Sequence, residues 1–246
     1  MMVDPGISPR STSMQQIYDA FATALRLIVT LDPGLVEIVR LSLEVSLSAV
    51  GLAAIIGLPL GGAVVLFAFP GRRALVVLLN SLMGLPPVIV GLVVYLLLSR
   101  AGPFGVLGLL FSPAAMILAQ TILVTPIVAA LARQFLEDLW SEYADQLHSL
   151  GAHRGQALLT LLWEGRFSLA TAVLAGFGRA SAEVGAVMIV GGNIEHATRT
   201  MTTAIALETS KGDLSLALGL GLLLMLLSLA INGAAYLIRD LAGRRL

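Results

Sequence analysis

The stretch from Val45 to Phe69 reads VSLSAVGLAAIIGLPLGGAVVLFAF and holds no charged side chain. About 20 apolar residues cross the hydrocarbon core of a bilayer as a helix, so this run is long enough to span one. The pattern recurs downstream. Ala74 to Ser99, Pro113 to Leu131 and Leu214 to Ile238 are also long and uncharged, and Phe167 to Val190 is long but holds Arg179 and Glu183. These runs define an integral membrane chain.

Composition agrees. Of 246 residues, 57% are hydrophobic and 12% charged, and the mean hydropathy is +0.93. Soluble domains carry about 25% charge, so a soluble fold would lack groups to cover its surface. Net charge is zero and all basic residues but Lys211 are Arg, with no basic block of the kind that binds nucleic acid. The absence of Cys excludes disulfides, thiolate metal sites and Cys nucleophiles. Met1 to Ser13 is polar and Pro-containing, without the charged and apolar regions of a signal peptide, so the first span is expected to act as its own insertion signal.

From Ile17 to Thr30 the pattern is shorter and contains Asp19 and Arg26, with Ile17, Phe21, Ala24, Leu25 and Ile28 near one helical face. Such a helix lies in the interface rather than across it, and Asp32-Pro33-Gly34 ends it. The expected organisation is all-α: an N-terminal segment, 1–34, with this interfacial helix, then a transmembrane domain, 35–246. Its five spans fall near 43–69, 74–99, 113–135, 167–190 and 214–239, with a loop over 137–166. Five spans place the termini on opposite sides. Arg72, Arg73, Arg133, Arg154, Arg166, Arg239, Arg244 and Arg245 outnumber Arg10, Arg26, Arg40, Arg100, Arg199 and Lys211. The positive-inside bias therefore favours an outer N-terminus and a cytoplasmic C-terminus.

Gly57 and Gly61 stand four apart on the first span, and Gly178, Ala182 and Ala186 repeat that spacing on the fourth. Small residues let helices approach closely in lipid, although Gly and Ala are common in all membrane helices. Pro59, Pro86, Pro87 and Pro126 fall inside spans. Pro86-Pro87 is the sharpest break, and it either borders a translocation path or only shapes the bundle.

Between the third and fourth spans, Leu139, Tyr143, Leu147 and Leu150 recur at helical spacing beside Glu137, Asp138, Glu142 and Asp145, and Gly151 is a helix stop. A short helix with one apolar ridge and acidic flanks suits docking into a partner's groove. It is also what a solvated connector would look like. On the fourth span Arg179 and Glu183 lie one turn apart. An ionised side chain at the bilayer centre costs about 2.5–3.5 kcal/mol on insertion scales, so the pair either lines a wet anion path or locks helices in register. Asn193 adds an amide just beyond.

No HExxH occurs, and His148, His153 and His196 lie in loops, which argues against an intramembrane enzyme. No matching halves point to a stand-alone secondary transporter, which remains the alternative class. The only Lys is followed by Gly212, so no phosphate loop ending in Lys-Ser or Lys-Thr is present.

Asp145-Gln-Leu-His-Ser-Leu-Gly151-Ala resembles the EAA loop of ABC importer permeases, with Asp145 in the place of the motif's Glu and Gly151 matching its Gly. Gln146 and Leu147 stand where two Ala are usual, and Trp163-Glu164 where Leu-Pro is common. GFGRASAEVGAVMIVGGNI, Gly176 to Ile194, is similar to the signature of permeases importing tungstate and, more loosely, molybdate and sulfate; GLPPVIVGLVVYLLLSRAGPFGVLGLLFSP, Gly84 to Pro113, also looks like the tungstate branch.

The resemblance covers most of the chain from about Leu35. It implies a non-enzymatic subunit of an oxyanion importer in a prokaryotic cell (inner) membrane, working by alternating access. The implied partners are a second copy, an ABC ATPase dimer binding ATP and magnesium, an external solute-binding protein and the bilayer, with no cofactor on this chain. The implied ATPase-coupling residues are Glu142, Asp145, Leu147, Leu150, Gly151, Ala152 and His153. Candidates for the path or gate are Pro86, Pro87, Arg179, Glu183 and Asn193. Molybdate or sulfate import is the alternative within the family.

Overall fold

In hydrocarbon a backbone has no water to bond, and a helix satisfies its N–H and C=O groups within one segment. The computed structural model follows that constraint: it describes residues 18, 19, 21, 22, 25 and 33–243, with side chains through 237, and among them no strand occurs. The helices are α1 (Pro33–Leu66), α2 (Arg72–Leu82), α3 (Pro87–Leu98), a 3-10 turn (Gly105–Leu107), α4 (Pro113–Ser149), α5 (Arg154–Glu164), α6 (Arg166–Ser181), α7 (Gly185–Gly191), α8 (Met201–Lys211) and α9 (Leu214–Gly243). Among the described residues, α1, α4 and the Leu214–Leu237 part of α9 are long and apolar enough to cross a membrane. The count reaches five if α2–α3, bent by 101°, and α5–α6, bent by 74°, each count as one span.

Several boundaries differ from the sequence expectation. The first helix starts at Pro33 rather than near 43, because Pro at the head of a helix loses no bond it would otherwise make. Its 34 residues rise roughly 50 Å, more than the hydrocarbon thickness, so the turns bearing Glu37, Arg40 and Glu44 project beyond it. The expected 74–99 span is two helices, since Pro86 holds an extended backbone (φ −65°, ψ 120°) and Pro87 begins the next helix. The expected 167–190 span also breaks, after Ser181, and restarts at Gly185. The helix that holds the third span does not stop near 135; it runs unbroken to Ser149. Of the expected interfacial helix, Tyr18, Phe21 and Leu25 are helical and exposed, while Ile17, Ala24, Arg26 and Ile28 lie outside the described residues.

α4 is the axis of the bundle. The most apolar part of α4 is 61% buried, against 17% for that of α9, which places α9 at the rim. α1 packs along α4 through Gly57 and Gly61. A Cβ on Gly61 would sit 2.7 Å from the Ala129 carbonyl oxygen and 2.8 Å from the Arg133 nitrogen, so only Gly permits this approach. The stripe Gly178, Ala182, Ala186 is not such a seam: Gly178 faces open space, Ala182 is exposed beyond the helix end, and Ala186 belongs to the next helix. Gly176 makes that contact instead, against Val124 and Val128 of α4.

Candidate functional site

One end of the bundle carries the segment with the EAA-like residues. About 20 of α4's 37 residues suffice to cross the membrane, so the remainder projects as a rigid continuation of a spanning helix. Gly151, in the left-handed region at φ +67°, stops it. Its N–H donates to the His148 carbonyl at 3.0 Å, and the Ala152 N–H donates to that of Leu147, also at 3.0 Å. Those two bonds are the Schellman pattern, in which a left-handed residue satisfies the last carbonyls of a helix. His153 then caps α5: its Nδ1 accepts from the Gln156 N–H at 3.2 Å, while Gln156 Oε1 accepts from the His153 N–H at 3.1 Å. Trp140 and His148 meet edge to face at 5.5 Å.

The apolar ridge divides. Leu147 is buried against Leu136, Ala157 and Leu161, with Leu139 and Tyr143 packed beside it, so these residues hold the segment to its own bundle. Leu150 is 80% exposed, and Leu159 and Trp163 on α5 are exposed too. Glu142 and Asp145 are exposed, with no ion pair among the described residues. Two free carboxylates and two exposed leucines, Leu150 and Leu159, result at this end. Leu159 and Trp163 were not singled out from sequence, because their exposure depends on which face α5 turns inward. Around this end, Arg72 and Arg133 both pair with Glu137, and the Arg154 guanidinium stacks over Phe67 at 5.4 Å.

Deeper in the bundle the two broken elements meet. A Cβ on Gly185 would lie 3.1 Å from Val88 and 3.6 Å from Glu183 Oε1, which sets Pro86-Pro87 beside the gap between α6 and α7. Glu183 is buried. Its Oε1 accepts the Ala186 N–H at 3.1 Å, and Oε2 stands 3.7 Å from an Arg179 nitrogen. The carboxylate thus serves one freed amide at the start of α7, that of Ala186, where the helix end carries partial positive charge. Arg179 remains 37% exposed. It lies roughly 20 Å along α6 from Arg166, within the expected fourth span, where a charge facing lipid would be unfavourable.

Asn193 is not part of this group. It stands beyond the far end of α7 at φ +50°, its Oδ1 buried without a partner among the described residues. Sequence reasoning passed over Thr202, whose hydroxyl donates to the Glu183 carbonyl at 2.8 Å, and Gln120, whose Nε2 donates to the Ala180 carbonyl at 3.1 Å. Gln120 is the one amide in the uncharged run from Pro113 to Leu131, a signal that was legible. Its Oε1 has no partner among the described residues, beside a cavity of about 20 Å³ bordered by Ser46, Ser181 and Ser228.

At the opposite end, His196 in the α7–α8 loop meets Glu37 of α1, Nδ1 to Oε2 at 2.8 Å. The Glu37 hydrogen bond, then its charge, raise the His196 pKa above 6.5, with desolvation opposing. No cluster able to hold a metal ion occurs among the described residues.

No protein-family model matches the chain. It is 41% identical to a tungstate uptake system permease protein of Peptoclostridium acidaminophilum over 92% of this chain and all of the relative. It is also 41% identical to a probable anion ABC transporter permease protein of Haloferax volcanii, over 84% of this chain and 91% of the relative. A tungstate uptake system permease protein of Campylobacter jejuni is 38% identical over 82% and 84%.

Proposed function

The chain belongs to the permeases of ABC anion transporters, and from that premise we propose that it forms the membrane path of a tungstate importer. The observation that carries this reading is the match to a tungstate uptake permease along that relative's whole length. Two copies of the chain, an ATPase dimer carrying ATP and magnesium, and an external solute-binding protein complete the proposed assembly.

The coupling role falls to Glu142, Asp145, Leu150, Gly151 and His153, with Leu147 and Ala152 positioning them. Free carboxylates beside exposed leucines suit a groove with an apolar floor and basic rim. Because this surface extends a spanning helix without a flexible joint, a displacement imposed by the ATPase passes directly into the bundle. Alternating access then needs two bundle arrangements biased by nucleotide. The meeting of the α2–α3 break at Pro86-Pro87 with the α6–α7 break at Glu183 supports a gate there, and Arg179 supplies positive potential for a dianion. High affinity belongs to the solute-binding protein, since a path must release what it passes. In this reading the Glu137–Arg166 side and the C-terminus are cytoplasmic.

Molybdate shares the tetrahedral dianionic form, and sulfate differs mainly in size. Uptake of labelled tungstate, molybdate and sulfate by a deletion strain carrying this chain separates them. Tungstate uptake that depends on the ATPase is expected. Preferential uptake of either other anion would reassign the substrate, and transport by the isolated chain in liposomes under an ion gradient would overturn the ABC reading.

A further inference from the structure

An apolar groove of about 440 Å³ runs between α1 and α6, within the size range of small-molecule sites. Ala54, Leu58 and Pro59 line one wall; Leu169, Ala170 and Val173 line the other. The chain bends by 74° between α5 and α6 at the Arg166 end of the groove, and the small Ala54 and Ala170 lie on its two walls. Among the described residues, Arg166 is the only charged one lining it. Its guanidinium is held between the Trp163 ring at 4.9 Å and the Phe167 ring at 4.7 Å, and one nitrogen donates to the Trp163 carbonyl at 2.7 Å. No carboxylate pairs with it among the described residues.

We propose that this groove binds an anionic phospholipid, with the phosphate on Arg166 and an acyl chain between α1 and α6. Three observations converge. Trp163 is exposed beside Arg166, and Trp is enriched at the headgroup level of membrane proteins. A guanidinium has five donors in a planar fork suited to phosphate oxygens, and its stacking on two rings orients that fork before any ligand arrives. The groove beyond it is apolar, so it accepts a hydrocarbon tail and offers nothing to a free inorganic anion. A zwitterionic lipid carries a cation that Arg166 repels, so charge complementarity selects the anionic headgroup.

Native mass spectrometry of the purified transporter complex tests this. Both lipids offer Arg166 a phosphate, but only the zwitterionic one brings a like charge beside it, at about 1 kcal/mol, so dioleoylphosphatidylglycerol should be retained about fivefold or more over dioleoylphosphatidylcholine, and inorganic phosphate should not compete. Arg166→Gln should abolish the preference while leaving a weak common affinity, and Ala170→Trp should reduce retention of both lipids. Equal retention of the two lipids by the wild type, or an unchanged preference in Arg166→Gln, overturns the proposal. Because the chain has no Cys, Ala170→Cys reports on the rival occupant: efficient disulfide cross-linking between two copies would show that a second protomer covers the groove. Should Ala170→Trp fail to fold, the headgroup comparison and Arg166→Gln still decide.

Discussion

Gly61 offers the sharpest quantitative test of how α1 meets α4. A Cβ there would approach the Ala129 carbonyl oxygen at 2.7 Å, the Arg133 nitrogen at 2.8 Å and the Ala132 Cβ at 2.9 Å. Two of these neighbours are backbone atoms of a buried helix, which cannot rotate away. Gly61→Ala must therefore push the helices apart, an overpacking cost of about 1–3 kcal/mol. Ala also favours the helix over Gly by about 1 kcal/mol, which obscures the sign for one variant. Gly51→Ala on the same helix removes that ambiguity, because nothing among the described residues lies within 4 Å of its Cβ position. Propensity cancels between the two, so Gly61→Ala should be less stable than Gly51→Ala by about 1–3 kcal/mol. At roughly 2–4 °C per kcal/mol for chains of this length, thermal unfolding in detergent should show melting temperatures separated by about 2–12 °C. Equal melting temperatures, or a more stable Gly61→Ala, would refute a backbone-limited seam.

Gly151→Val puts a β-branched residue at φ +67°, where L-residues lose about 1–2 kcal/mol; co-purification of the ATPase should fall roughly 5–30-fold, and undiminished coupling would count against the docking role. Arg179→Ala should lower anion uptake roughly tenfold while folded yield holds; a proportional fall in both would make the Glu183 pair a helix lock. The raised His196 pKa means the contact with Glu37 stabilises fully below pH 6.5 and is lost as pH rises through the raised value. In an imidazole NMR titration, Glu37→Gln should bring His196 back toward 6.5; an unchanged titration would refute the Glu37 contact as its cause.

Composition and the length of uncharged runs determined the membrane class by themselves, because in lipid a backbone must bond internally whatever surrounds it. Helical spacing likewise made Gly151 legible as a stop, since a left-handed cap is a local matter. The Gly57–Gly61 seam was legible only as a possibility; Gly178, Ala182 and Ala186 have the same spacing and make no seam, because packing depends on what stands opposite. Tertiary structure alone decided that the fourth hydrophobic run breaks at Glu183. No Gly or Pro marks the break itself, and it persists because a buried carboxylate caps α7 while Thr202, from another helix, bonds the Glu183 carbonyl. The inward turn of Leu147 and outward turn of Leu150 were decided in the same way, by whether Leu136 and Leu161 stand opposite, a relation no single stretch of sequence contains.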